Sequence, residues 1–257
     1  YNPLTIAENY AMADVLSNGR LVMGVGSGYL KHEFEGYGIN GAEKRERFDE
    51  NLEVVSRLLK GERLTFKGQF NTIDNVQLNV LPTQKPSPPI SVAILRKEAA
   101  YHVGLKGHNI LCVPYGSLDH WDELSELSGE FQRGRDENGN PAQPGDATFV
   151  FHTHVAPTND QVRANAANCF DLYVRTRLYA KQQTFDDIMN SGLALFGTPE
   201  HIAEKVASLF KLGVSHVVTL HNFGHMAPEK VHESMRLFAQ EVMPRAHAIL
   251  DQNAQAA

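Results

Sequence analysis

Cysteine is almost missing from this chain: Cys112 and Cys169 are the only two among 257 residues. Two cysteines supply no disulfide framework and favour a reducing, cytoplasmic setting. Tryptophan occurs once, as Trp121. No apolar run approaches the ~20 residues that span a bilayer, so no membrane association is expected. Basic residues are outnumbered, 24 Lys and Arg against 30 Asp and Glu, for a net charge of −6. No broad basic field exists to hold nucleic acid or acidic lipid. Repeats are absent, and the only low-complexity stretch is the Ala/Gln tail, expected to be disordered over 251–257. A start methionine is missing too, so the sequence gives no reading of a targeting peptide.

What is present is an alternation of strand and helix. Residues 5–16 predict a helix, with Ile6, Tyr10, Ala13 and Leu16 on one stripe and Gly19 as its stop. Leu21-Val22-Met23-Gly24-Val25 lacks polar alternation and predicts a short buried strand. A helix over 43–60 follows, with Phe48, Leu52, Val55 and Leu59 on one face and Gly61 as C-cap. Residues 61–89 break the rhythm. Thr65-Phe66, Phe70-Asn71 and Val76-Gln77-Leu78 predict small strands turned at Lys67-Gly68 and Asp74-Asn75, a rim excursion too short to bury its own core. Further strands are predicted over 90–95, 109–113, 148–156 and 216–220, with helices over 97–105, 118–133, 160–179, 198–212 and 228–249. Residues 181–195 predict a mobile segment, read equally as a lid or an ordinary surface loop.

Five core strands, each followed by a helix, mean parallel βαβ units in a doubly wound sheet or a barrel. A closed barrel needs eight strands, and five would leave two apolar edges open. The expected fold is therefore α/β, a (β/α)₈ TIM-type barrel forming one domain over 1–250. Its first three βα units are expected to precede Tyr1 in the natural protein.

Two strand ends carry candidate chemistry. Gly24-Val25-Gly26-Ser27-Gly28 ends the first strand, and glycines there let backbone amides approach a ligand without Cβ interference. On pattern alone, tight packing at a turn accounts for the glycines equally well. Val92-Ala93-Ile94-Leu95-Arg96-Lys97 feeds a helix. Free amides and two cations at that point suit a phosphate monoester, and a solvated pair on a rim is the alternative.

Leu16-Ser17-Asn18-Gly19-Arg20, Gly24-Val25-Gly26-Ser27-Gly28, Glu33-Phe34 and Gly38 together resemble the fourth βα unit of the bacterial luciferase family. Gly197-Thr198-Pro199-Glu200, Gly213, and the run from Ser234-Met235-Arg236-Leu237-Phe238 to Glu241-Val242-Met243-Pro244 resemble its C-terminal signature. The resemblance implies a luciferase-like barrel and a two-component FMN-dependent monooxygenase. Reduced FMN would come from a separate NAD(P)H:flavin reductase and react with O₂ at C4a. The hydroperoxide so formed would oxygenate a small organic substrate. By resemblance, Gly26 lies under the flavin ring, Ser27 points toward the phosphate, and Tyr29, Ala93, Ile94 and Arg96 complete the cofactor contacts.

The chain also departs from that pattern. Similar enzymes place a serine or threonine where Leu95-Arg96 stands, so Arg96 is expected to take over the phosphate. Ser27 replaces an arginine of the luciferases. Gly26 replaces a cysteine of the light-emitting subunit, which argues against bioluminescence. The family's catalytic histidine is expected before Tyr1, and no catalytic base is named. Two rivals remain: an F420 (deazaflavin)-dependent hydride-transfer oxidoreductase on the same fold, and a non-catalytic partner subunit. The family commonly dimerises, so a homodimer or heterodimer is expected.

Twelve histidines raise a metal question. His152 and His154 alternate on one strand and share a face. Known zinc barrels carry such a pair on the first strand and add acidic ligands. No metal is expected here. His152, His154 and His221 are instead candidates for the wall of the substrate pocket, or for polar packing positions.

Overall fold

The structure, a computed structural model, describes residues 1–177 and 182–256, with side chains up to residue 252. The chain divides into two compact units, Tyr1–Ala93 and Ile94–Ala257.

The first unit opens with α1 (Pro3–Leu16). The Asn2 side chain caps it by accepting from the Leu4 N–H, and Pro3 occupies the first helical position. Gly19, at φ 72°, returns its N–H to the Asp14 carbonyl and closes the helix. The buried stripe is Pro3, Ala7, Ala11 and Asp14, one residue round from the predicted stripe, and Leu16 is 79% exposed. The cause is a buried acid. The Asp14 carboxylate accepts from the Gln84 N–H and Gln84 Nε2, tying the 82–89 connector to the helix. Ile6 and Tyr10 are left half-buried beside it. The strand β1 (Met23–Val25) pairs in parallel with β4 (Ile90–Ile94), Val25 opposite Val92.

Between those strands lie α2 (Lys31–Gly36), which sequence periodicity missed, and α3 (Lys44–Leu59). The α3 helix buries Leu52, Val55 and Leu59 as predicted, and α1 packs against it. The rim excursion forms one antiparallel hairpin, β2 (Leu64–Lys67) with β3 (Thr72–Val76). Two strands stand where three were expected. Asp74-Asn75 lies inside β3, and Phe70-Asn71 forms the hairpin tip.

The second unit is organised around β6 (Ala147–Val155). Parallel to it run β5 (Asn109–Cys112), β8 (His216–Leu220) and a short β7 (Leu195–Gly197) that sequence reading missed. Phe149, Phe151, Phe170 and Phe196 fill the core beside them. The helices α4 (Ala99–Leu105) and α6 (Glu123–Glu137) meet through Gly104 and Gly134. A Cβ on either would run into the other helix's backbone. A four-residue α5 (Pro114–Ser117) precedes α6. Trp121 therefore lies ahead of α6 rather than within it, its N–H donated to the Ser191 carbonyl.

The segment expected to be mobile is largely built. After α7 (Asn159–Arg175), the helix α8 (Phe185–Ser191) starts at a reciprocal cap between Thr184 and Asp187 and buries Phe185 and Ile188. Lys181, the start of that expected lid, lies outside the described residues. Thr198 and Pro199 start α9 (Pro199–Lys211) as predicted. The last helix runs as α10 (Pro228–Leu237), a π turn at Phe238–Val242, and α11 (Met243–Ala256). It thus continues into the tail expected to be disordered. Among the described residues, no helix is long and apolar enough to cross a membrane.

Candidate active site

The end of β1 opens into a cleft of about 620 Å³ lined wholly by the first unit. That volume suits a small-molecule site. Its floor is Met23 to Gly28, and its walls come from α1, α2, α3 and the hairpin tip.

The three glycines on the floor separate by physical cause. Gly28 sits at φ 77°, and a Cβ there would meet Phe34 Cζ at 2.9 Å, so the backbone itself demands glycine. Gly24 and Gly26 are outside the left-handed region. A Cβ at Gly24 meets nothing within 4 Å, and one at Gly26 meets only Ala93 Cβ at 3.7 Å, an ordinary contact. Protein packing therefore does not require glycine at either position. The space a side chain would take is open, and both residues are exposed. Gly26 and Ala93 stand side by side where two parallel strands end. Bare backbone and one methyl group are what this strand end presents.

Other expected cofactor contacts scatter. Ser27 lines the cleft, whereas Tyr29 is exposed and outside its lining. Ile94 is buried in the second unit's core, so its side chain is not free for a ligand. Arg96 is exposed, and among the described residues its guanidinium has no carboxylate partner. Lys97 is already bound by Glu123 and Glu126 at 3.2 and 2.9 Å. The predicted pair of free cations is thus one, and α4 begins two residues later than expected.

One wall of the cleft is held from outside. Glu50, on α3, accepts from the Gln69 N–H at 2.7 Å, the Phe70 N–H at 3.0 Å and Asn71 Nδ2 at 2.7 Å. Burial raises the Glu50 pKa, but those donors outweigh it and hold the carboxyl below its ordinary range. The Arg47 guanidinium lies 4.2 Å over the Phe70 ring. Sequence reading missed this latch, although Phe70-Asn71 beside a glycine turn was its visible half.

In the second unit the three histidines lie in the core, not at a mouth: His152 and His154 are 1% exposed and His221 is 6% exposed. His152 is ringed edge-on by Tyr115, Phe170, Tyr173 and Phe223, and its Nε2 has no partner. His154 Nε2 lies 3.2 Å from Asn165 Nδ2, which leaves its buried Nδ1 unpartnered. His221 Nδ1 lies 2.8 Å from Ser234 Oγ, which itself accepts the Val155 N–H. Burial pushes His152 down to about 3, aided by Arg177. Burial also takes His154 to about 4, aided by Lys230, and His221 to about 4, aided by His154. All three are neutral at pH 7. Among the described residues no cluster of three or more His, Cys, Asp or Glu could hold a metal ion.

The family model for luciferase-like monooxygenases matches residues 1–216. Limonene 1,2-monooxygenase of Rhodococcus erythropolis is 27% identical over 95% of this chain and 65% of its own length. An FMNH₂-dependent dimethylsulfone monooxygenase of Pseudomonas fluorescens is 25% identical over 95% of this chain and 70% of its own. The crystal structure of the monooxygenase RslO1 from Streptomyces bottropensis superposes with a TM-score of 0.85 at 26% identity, over 95% of this chain and 74% of that one. The chain thus spans less than two thirds of the length of the limonene enzyme.

Proposed function

Because the chain belongs to the luciferase-like monooxygenase family, of the α/β TIM-type barrel class, we propose that it acts in an FMN-dependent monooxygenase, with reduced FMN delivered by a separate NAD(P)H:flavin reductase. The observation that carries this reading is the bare strand end at Gly26, which lines the cleft and has the Ala93 methyl group as the one neighbour that a Cβ there would meet within 4 Å. FMN, when bound reduced, would supply the electrons that activate O₂ for insertion of one oxygen atom, the other leaving as water.

The chain's own residues bind and enclose. Gly24 and Gly26 leave room for the ring, and the Ala93 methyl group gives it an apolar contact. Ser27 offers a hydroxyl from the cleft floor. Arg96, two residues beyond the end of β4, is exposed and among the described residues has no carboxylate partner, which suits a phosphate dianion. The aromatic walls, Phe34, Phe48 and Phe70 among them, keep water from the reacting face. Relatives named for limonene, dimethylsulfone and trigonelline support a small organic substrate.

Titration of the protein with reduced FMN under anaerobic conditions, in parallel with reduced F420, tests the reading. Binding of FMN, lost in Gly26→Leu while the fold is retained, is the expected result. Binding of F420 alone would replace the monooxygenase with a hydride-transfer enzyme.

A further inference from the structure

The cleft does not stop at the glycine strand end. It continues along the inward face of α3, past Phe48, Asn51 and Leu52, to the hairpin tip at Phe70 and Asn71. Among the described residues, two polar groups on this stretch lack partners. Asn51 Oδ1 accepts from Asn71 Nδ2 at 2.8 Å, but Asn51 Nδ2 donates to nothing. The Tyr10 hydroxyl, across the cleft on α1, is also unpaired. Half-buried donors without acceptors are costly unless a ligand or water supplies one.

The charges on the lining cancel. Arg47 pairs with Glu43 at 2.9 Å and packs over Phe70, while Lys44 and Glu33, both exposed, add one charge of each sign. In number, then, these charges offset one another, and no excess of one sign favours an ionic substrate.

We infer that this α3 end is the substrate subsite, taking a compact, uncharged carbocyclic or aromatic molecule that bears one carbonyl or hydroxyl oxygen. Asn51 Nδ2 and the Tyr10 hydroxyl hold the oxygen, and Phe48, Leu52 and Phe70 grip the ring. The Glu50 latch makes Phe70 a fixed wall rather than a loose flap. The inference rests on the flavin reading only in placing the oxygenated carbon beside the Gly26 end.

Ligand-observed NMR with cyclohexanone, methylcyclohexane and cyclohexanecarboxylate tests it, with FMN titrated separately. Cyclohexanone is expected to bind at least tenfold tighter than either analogue. Asn51→Ala and Phe70→Ala should each weaken it about fivefold to tenfold, and Asn51→Ala should do so with FMN affinity unchanged. Glu50→Gln, which loosens the tip without touching the cleft, should weaken it severalfold and guards against a Phe70→Ala chain that fails to fold. Equal binding of ketone and hydrocarbon, tighter binding of the carboxylate, or ketone affinity indifferent to Asn51→Ala and Glu50→Gln would overturn the subsite. Wild-type protein that binds the ketone series as described but no FMN would leave the subsite standing and remove the flavin reading.

Discussion

At the residue scale, glycine carries two opposite meanings within five positions. Gly28 is required by its φ of 77° and the Phe34 ring, whereas nothing among the described residues requires glycine at Gly26. Gly28→Ala should therefore destabilise the fold by about 1–2 kcal/mol, the cost of a Cβ in left-handed backbone plus a close contact. Gly26→Leu should leave the melting temperature within a degree or two and abolish FMN binding. Thermal melts beside flavin titrations separate the two. His152 poses the reverse case. A buried nitrogen without a partner inside a ring of aromatic side chains is a burden on the folded state. His152→Phe should raise stability by about 1 kcal/mol, read by urea denaturation. A loss of stability would mean that Nε2 holds a partner in solution.

At the element scale, the hairpin tip depends on one carboxylate. A Cβ at Gly68 would press into the Glu50 carboxylate, which cannot swing away while three donors hold it. Gly68→Ala should therefore free the tip and raise proteolytic cleavage near residue 69 severalfold, with α3 intact by circular dichroism. Because the folded Glu50 pKa is depressed, its contribution is present above the ordinary carboxylate range and is lost as pH falls through the folded value. The protection of the Phe70 amide, its exchange rate measured relative to the intrinsic rate at each pH, should accordingly fall on acidification before that of the core.

This scale also shows what the sequence made legible. The longer strands and helices, the Thr198-Pro199 helix start and the Gly-rich strand end rest on local patterns and could be read directly, whereas the short α2, β7 and α8 could not. The α1 stripe could not, since it is set by Asp14 meeting Gln84 seventy residues away. Nor could the α4–α6 approach through Gly104 and Gly134, because a glycine inside a helix carries no local sign of a neighbouring backbone. Half of the site was legible for the same reason. Gly26 and Ser27 lie on one contiguous stretch, while Ala93 joins them through the β1–β4 pairing and Glu50, Asn51 and Tyr10 only through tertiary packing. The histidine pair on β6 was placed on one face correctly, but alternation alone cannot say whether that face meets solvent or core.

At the scale of the whole molecule, three neutral histidines in one core make the second unit sensitive to acid. Each has a folded pKa below its unfolded value of about 6.5, so the unfolded chain binds protons that the folded chain refuses. Their contribution is fully present above about pH 6.5 and is lost progressively toward pH 4 and below. Each group steepens the decline by up to about 1.4 kcal/mol per pH unit. Urea unfolding followed across pH 4–7 should show that slope, and His152→Phe should remove one group's share. The central claim, that the cleft at the end of β1 seats a flavin, is tested most directly by anaerobic titration of the protein with reduced FMN. The account predicts saturable one-to-one binding that disappears in Gly26→Leu while the fold persists. Binding that is absent in the wild type, or unchanged by filling the Gly26 space, would contradict it.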